Sequence, residues 1–183
     1  MLIKRSVFAA VLFAAVCAST AFGQSDTGRF VRSRFVSFDG GFTVDLPSRT
    51  DNSIERVGSI FSGASTFSWR YDKGNFTIGY VDDIPAIPGN GFRPLNDLAD
   101  TVAATLAKTG GKVVDRCPFS FNGYPGIELR IDRRAGSGSI NRFILVGHRL
   151  YILTADWPLE GSEAASRQVL DSFDLIDTKA LVA

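Results

Sequence analysis

The chain has 183 residues, of which 45% are hydrophobic and 21% charged, and its 20 basic and 19 acidic residues give a formal net charge of +1. This length corresponds to one ordinary domain, and the charge balance provides no polybasic surface for general nucleic-acid binding. A single histidine and two cysteines exclude a zinc cluster and leave no alternative members for a Ser-His-Asp or Cys-His set.

The segment 1–23 predicts a secretory signal peptide. A basic start is followed by an apolar run at residues 7–16 and then by small residues, so we expect cleavage after Gly23 and a periplasmic or secreted mature chain. The run is shorter than the ~20 apolar residues that span a bilayer, so the mature chain has no predicted transmembrane segment. Lipidation at Cys17 is the alternative, although Val16 has the wrong size for the residue before an acylated cysteine.

Residues 24–33 predict a flexible leader, residues 34–176 one domain and residues 177–183 a C-terminal tail. The domain opens with two apolar runs that are joined by Asp-Gly-Gly at residues 39–41. This sequence is a strong turn signal, so the runs predict a β-hairpin.

Aromatic residues that alternate with polar ones predict a second hairpin. Phe67, Trp69 and Tyr71 fill alternate positions, and the pattern resumes after a short polar turn. We favour a core role for them, because each large ring buries about 150–250 Å². The alternative is a pocket for a small apolar or anionic ligand, lined by Trp69, Tyr71, Tyr80 and Tyr151.

Residues 82–93 predict a long connection without periodicity. Loops of about 12 residues or more are often functional, so we predict a partner-contacting surface here that includes Asp82, Asp83 and Arg93. The two adjacent carboxylates point apart in an extended chain, which argues against a dyad that shares a proton. A carboxylate-dependent hydrolase is therefore only the third functional alternative.

Two segments predict helices. Residues 96–108 repeat apolar side chains at helical spacing, Asn96 can cap this segment, and two glycines stop it. Ser162 can cap a second helix, which ends near Asp174.

Residues 119–157 predict the centre of an antiparallel sheet. Apolar and charged side chains alternate over residues 127–132, as in a strand with one covered face. The runs at 143–146 and 150–155 are apolar at successive positions, so both of their faces need a covering layer.

Short breaks separate these strands. A break is predicted at residues 123–126, and Gly147 with His148 predicts a two-residue turn that exposes the histidine to solvent. A short strand is expected at residues 112–116. Cys117 follows it and is predicted to be a small buried hydrophobe, the usual role of a free cysteine, rather than a nucleophile.

Arginines are concentrated on the same strands. We predict that Arg133, Arg134 and Arg142 form a small basic rim for an acidic partner, unless Glu128 and Asp132 neutralise it through cross-strand pairs. The sequence contains no EF-hand spacing, phosphate-binding loop or His-Glu-x-x-His motif, so no metal and no cofactor is predicted.

Four segments, at residues 38–47, 121–129, 149–153 and 172–176, resemble the PsbP-like domains. This family includes the extrinsic photosystem II protein, eukaryotic Ran-binding relatives and exported bacterial proteins. The resemblance implies an α+β fold in which helices cover both faces of a central antiparallel sheet, an α/β/α sandwich. It also implies a mostly noncatalytic role in binding larger assemblies, and no photosystem-specific ligand residue is matched.

We therefore expect an exported, noncatalytic binding or assembly module that contacts an envelope protein or complex. The ligand pocket is the second alternative, and the hydrolase the third.

Overall fold

A computed structural model describes residues 32–47, 50–51, 65–71, 74–82, 84, 92–108, 110–133, 136–158 and 161–176, with the backbone alone at residues 32, 50–51 and 92–94. The predicted signal peptide with Cys17, the predicted C-terminal tail, Asp83, Arg134 and the side chain of Arg93 lie outside this described part.

Within these residues the chain forms ten strands and two helices. The strands are β1 (Arg32–Ser37), β2 (Phe42–Pro47), β3 (Thr50–Asp51), β4 (Ser65–Tyr71), β5 (Gly74–Val81), β6 (Lys112–Phe121), β7 (Tyr124–Asp132), β8 (Gly138–Val146), β9 (Arg149–Trp157) and β10 (Asp174–Leu175). The helices are α1 (Phe92–Lys108) and α2 (Glu163–Leu170). Neither helix combines the length and the apolar character needed to cross a membrane.

Seven strands form one sheet in the order β3-β4-β5-β9-β8-β7-β6, and β1, β2 and β10 form a second, smaller sheet. All the pairings are antiparallel. The predicted antiparallel arrangement of residues 119–157 is therefore confirmed. Gly147 and His148 form the predicted turn between β8 and β9, and Gly147 has a φ of 60°.

Helix α1 packs on one face of the large sheet, over β6, β7 and β8. Leu95 and Ala99 of the helix share a buried cluster with Ile127, Leu129 and Phe143 of the sheet. Burial of each large apolar side chain contributes about 1.5–3 kcal/mol, so this cluster anchors the helix.

The opposite face is covered by the small sheet together with α2. Phe42 and Val44 of β2 and Val169 and Leu170 of α2 belong to one buried cluster with apolar side chains of β4, β5, β8 and β9. The expectation of helices on both faces is met only in part. Eight helical residues span about 12 Å, whereas the seven strands extend over about 29 Å, so α2 cannot cover that face alone.

Helix α1 begins earlier than predicted. Its first residue is Phe92, ahead of the predicted cap Asn96, so Arg93 belongs to the helix and not to a loop. Pro94 is compatible with this start because it lies in the first helical turn, where backbone N–H groups lack an intrahelical partner.

Strand β6 is longer than predicted and reaches Phe121. The chain then reverses at Asn122 and Gly123, so the break expected at residues 123–126 is wrong. Asn122 has a φ of 50° and Gly123 a φ of 85°, the positive values that a two-residue type I′ turn requires at both positions.

Candidate functional site

Hydrogen bonds close the turn between β1 and β2. The N–H of Gly41 donates to Phe38 O at 3.1 Å, and the N–H of Gly40 donates to Ser37 Oγ at 3.0 Å. A Cβ at Gly40 would lie 2.5 Å from Phe42 Cε1, so the position requires glycine. The Asp-Gly-Gly sequence therefore forms the predicted hairpin in one tightly packed conformation.

Two side chains of β9 and the backbone N–H of Ile176 donate hydrogen bonds to the carbonyls of this turn. Arg149 Nη1 donates to Asp39 O at 3.0 Å and to Gly40 O at 2.8 Å. Tyr151 Oη donates to Gly40 O at 2.6 Å, and Ile176 N–H donates to the carbonyl of the following glycine at 2.9 Å. Burial raises the pKa of Tyr151, which keeps its hydroxyl a donor. The turn is thus fixed at three successive carbonyls.

Arg149 also binds the end of β5. Its Nε donates to Asp82 Oδ1 at 2.5 Å and its Nη2 to Oδ2 at 3.0 Å, which makes a bidentate pair. Its guanidinium lies 4.7 Å from the ring centroid of Tyr80. The hydrogen bond from Arg149 lowers the pKa of Asp82. Arg149 therefore joins the turn, β5 and β9.

An exposed aromatic ring projects from the same turn. Phe38 is 73% exposed, and Val36, on β1, is 41% exposed. Val36 faces Thr43 on β2, which in turn faces Asp174 on β10, so this row spans about 10 Å. We define the hairpin surface as Val36, Phe38, Asp39, Thr43 and Asp174.

A groove of about 350 Å³ lies between β6 and the C-terminal end of α2. Its lining combines apolar and charged side chains, namely Cys117, Phe119, Phe121, Glu128, Arg142, Leu170 and Asp171. We call this feature the β6–α2 groove.

Glu128 accepts from two arginines at the base of the groove. Arg142 Nε donates to its Oε2 at 2.7 Å, and Arg167 Nη1 donates to its Oε1 at 2.7 Å. Burial raises the pKa of Glu128, but the two hydrogen bonds outweigh burial and leave the pKa below its ordinary value. The cross-strand neutralisation that the sequence left open is therefore present at Arg142.

The ion pairs continue along α2. Arg167 Nε lies 3.2 Å from Glu163 Oε1, and Glu163 Oε2 lies 2.9 Å from Arg130 Nε. Arg130 Nη2 lies 3.3 Å from Asp132 Oδ1. These pairs fix α2 onto β7 by charge, in addition to the apolar packing.

The structure does not bring the predicted partner-binding residues together. Asp82 lies beside Arg149 at one end of β9, whereas Arg133 lies 3.2 Å from Asp156 Oδ1 at the other end. These ends of β9 are about 23 Å apart. Arg142 belongs to the β6–α2 groove and has a side chain only 15% exposed. The two arginines therefore form separate ion pairs.

The aromatic residues proposed to line a ligand pocket lie in the core. Trp69, Tyr71, Tyr80 and Tyr151 are all at most 8% exposed. The rings of Trp69 and Phe76 stack at 5.7 Å, and Tyr71 Oη is hydrogen-bonded to Ser166 Oγ at 3.0 Å. The hairpin surface and the groove are formed by other residues.

Cys117 is exposed, and the prediction of a buried side chain is wrong. The residue lies on β6, which is an edge strand and is covered less than the central strands. Its Sγ donates to Asp115 Oδ1 at 3.3 Å, and this hydrogen bond raises the pKa of the thiol. The thiol is thereby kept in its less reactive, protonated form.

His148 is exposed in its turn, as predicted, and its Nδ1 lies 3.2 Å from Ile84 O. Among the described residues, no group of three or more His, Cys, Asp or Glu side chains is placed to hold a metal ion.

No protein-family model matches the chain, and no curated protein matches its sequence. The fold is similar to the solution structure of cyanobacterial PsbP (CyanoP) from Synechocystis sp. PCC 6803, with a TM-score of 0.61 and 12% identity over 81% of this chain and 95% of that chain. It is also similar to the Ran-binding protein Mog1p of Saccharomyces cerevisiae, with a TM-score of 0.49 and 9% identity over 81% of this chain and 97% of that chain.

A Pseudomonas aeruginosa protein of unknown function has a TM-score of 0.43 and 15% identity over 77% of this chain and 94% of that chain. Identities this low concern the fold alone. The likeness to CyanoP places the chain in a structural class: it has a PsbP-like α+β fold, as the sequence resemblance implies. Membership among the exported bacterial proteins of this fold stays a prediction.

Proposed function

We propose that this protein is a noncatalytic binding module that recognises a protein partner through the hairpin surface. The observation that carries this proposal is Phe38, whose ring is 73% exposed on a turn held by Arg149, Tyr151 and Ile176. Aromatic anchors dominate the energy of many interfaces, and a turn that is already rigid loses little conformational entropy on binding.

The charges around Phe38 indicate the chemistry of the partner. Val36 and Phe38 provide an apolar centre. The carboxylates of Asp39 and Asp174 lie around it, together with the guanidinium of Arg34, which donates to Thr43 Oγ1 at 2.9 Å. Interfaces commonly combine an apolar centre with a polar rim of complementary charge. The partner is therefore a protein with an apolar pocket bordered by lysine or arginine opposite Asp39 and Asp174 and by an acidic group opposite Arg34. For an exported chain it is an envelope protein or complex.

The hydrogen-bonded carboxylate of Asp82 supports a binding role for the protein rather than a role as a hydrolase. Both of its carboxylate oxygens accept hydrogen bonds from Arg149, and its pKa is lowered. A general base works best when its pKa lies near the working pH, so a carboxylate held in this way is a poor base.

Photo-crosslinking tests the location of the interface. A photoreactive phenylalanine analogue is placed at Phe38 or, as a control, at Val114, which is 38% exposed on β6. The proposal predicts one defined protein adduct from position 38 in the producing cells and none from position 114. Equal adduct patterns from the two positions would remove the hairpin surface as the interface.

The adduct partner is then purified and titrated with the free chain. Phe38→Ala is expected to weaken binding at least about tenfold and to change the free energy of unfolding by less than about 0.5 kcal/mol. Val114→Ala should leave both quantities unchanged. Binding by Phe38→Ala with the affinity of the wild type contradicts the proposal.

A further inference from the structure

The β6–α2 groove shares no residue with the hairpin surface and has no role in the function proposed above. Its volume of about 350 Å³ lies within the roughly 300–1,000 Å³ that is typical of small-molecule sites. Such sites combine apolar walls with a few charged groups. Phe119 and Phe121 of β6 supply the apolar walls here, and Leu170 of α2 lies buried beneath them.

An ion pair with unused hydrogen-bonding capacity lies in this groove. Arg142 uses its Nε for Glu128, and its Nη2 lies 2.7 Å from Asp171 Oδ1. Among the described residues, neither Arg142 Nη1 nor Asp171 Oδ2 has a hydrogen-bond partner. The Asp171 side chain is 61% exposed. Within the described part of the chain, this ion pair therefore leaves one donor and one acceptor unused.

We propose that the groove binds a small zwitterion with an apolar body, of the chemical class of the hydrophobic α-amino acids. The ligand carboxylate accepts from Arg142 Nη1, and its ammonium donates to Asp171 Oδ2. The apolar side chain of the ligand packs against Phe119 and Phe121. This site requires no protein partner, so it stands independently of the interface proposed above.

A ligand with a single charge suits the groove less well. Glu128 pairs with both Arg142 and Arg167, and Asp171 pairs with Arg142, so no guanidinium here is left uncompensated for a simple anion. The guanidinium of Arg142 lies 5.8 Å from the ring centroid of Phe119, so a lone cation on this wall meets a like charge. A zwitterion adds no net charge and satisfies both free groups.

Three related ligands separate these possibilities on the wild-type chain. L-phenylalanine carries both charges, N-acetyl-L-phenylalanine lacks the ammonium, and L-phenylalaninamide lacks the carboxylate. In two-dimensional ¹⁵N NMR titrations we expect saturable shifts for L-phenylalanine at the amides of Phe119, Phe121 and Asp171. Each derivative should bind about tenfold more weakly, the cost of one charge-assisted hydrogen bond.

Equal binding of the three ligands, saturable shifts confined to other residues, or no saturable shift with L-phenylalanine would each overturn the proposal.

A matched pair of variants tests the assigned carboxylate. Asp171→Asn should weaken binding of L-phenylalanine about fivefold to tenfold. Asp100→Asn is the control, because Asp100 is also an exposed carboxylate paired with an arginine, at 2.6 Å from Arg116 Nη1, but lies on α1. If Asp171→Asn binds L-phenylalanine with the affinity of the wild type, Asp171 does not bind the ammonium of the ligand. If that variant is unstable, the three-ligand series on the wild-type chain still tests the proposal.

Discussion

Glu128 and Arg142 face each other directly across β7 and β8, and Arg142 Nε lies 2.7 Å from Glu128 Oε2. Their side chains are only 16% and 15% exposed. Arg167 donates a hydrogen bond to the second oxygen of the same carboxylate. Glu128 thus pairs with two guanidinium groups, which also pair with Asp171 and Glu163, and its loss affects both of them.

Replacement of Glu128 should therefore be costly. Glu128→Gln is expected to lower the free energy of unfolding by about 2–3 kcal/mol at neutral pH. Arg142 and Arg167 each lose their shortest or equally short charged contact in a partly buried place and keep only Asp171 and Glu163. Urea denaturation measures the change. Asp100→Asn breaks an exposed ion pair and should cost less than about 1 kcal/mol. Equal losses in the two variants would contradict the central role of Glu128.

The stabilising effect of Glu128 should disappear in acid. Its pKa is lower in the folded chain than its ordinary value of 4.5, so protonation favours the unfolded state. The contribution is fully present above pH 4.5 and is lost as the pH falls through the folded-state pKa. The difference in unfolding free energy between wild type and Glu128→Gln should therefore shrink below pH 4.5. A difference that grows with acid would refute the assigned direction.

Arg149 should be sensitive even to a conservative change. Arg149→Lys keeps the charge but cannot donate to Asp82 and to the carbonyls of Asp39 and Gly40 together, because lysine lacks the planar fork. We expect a loss of about 1–2 kcal/mol in unfolding free energy and faster hydrogen exchange at the Gly41 amide. The amide of Gly111, which donates to Leu106 O at 2.9 Å, is the remote control. Unchanged exchange at Gly41 would show that Arg149 does not hold the turn.

Local patterns were sufficient to predict much of the sheet. Alternation at residues 127–132 gave the correct strand face, because one side of β7 packs under α1. The break predicted at residues 123–126 is wrong because the turn lies at Asn122 and Gly123, and Tyr124, Pro125 and Gly126 already belong to β7. Proline is tolerated near the beginning of a strand, where few ladder hydrogen bonds are lost.

The hairpin surface and the β6–α2 groove both depend on contacts between residues that are far apart in the sequence. Local sequence patterns do not predict such contacts. Arg149 binds Asp82, which is 67 positions away, and the carbonyl of Asp39, which is 110 positions away. Glu128 and Arg167 are separated by 39 positions. Burial of Cys117 was mispredicted for the same reason, since the edge position of β6 follows from the strand order and not from the residues around it.

Gly40 is expected to tolerate substitution poorly for a steric reason. A Cβ at this position would lie 2.5 Å from Phe42 Cε1 and 2.7 Å from Ser37 Oγ. Gly40→Ala should therefore cost about 1–3 kcal/mol of unfolding free energy, as overpacking does. Gly123→Ala is a useful comparison, because no atom lies within 4 Å and only its positive φ of 85° opposes the change. A larger loss in Gly123→Ala than in Gly40→Ala would contradict the packing of the turn.

The reactivity of Cys117 should increase when its acceptor is neutralised. Asp115 accepts a hydrogen bond from the thiol and thereby raises the thiol pKa, so Asp115→Asn should lower that pKa and increase the thiolate fraction near pH 8. Uncharged iodoacetamide should then alkylate Cys117 about twofold to fivefold faster, with a rate–pH profile displaced to lower pH. Asp132→Asn is the control, because Asp132 pairs with Arg130 instead. If the thiolate fraction limits the rate, and not the solvent accessibility of Cys117, the difference should vanish at high pH. The two variants and the wild type should then react at similar rates once the pH exceeds the thiol pKa. A rate difference that persists there would assign the effect of Asp115 to access rather than to protonation.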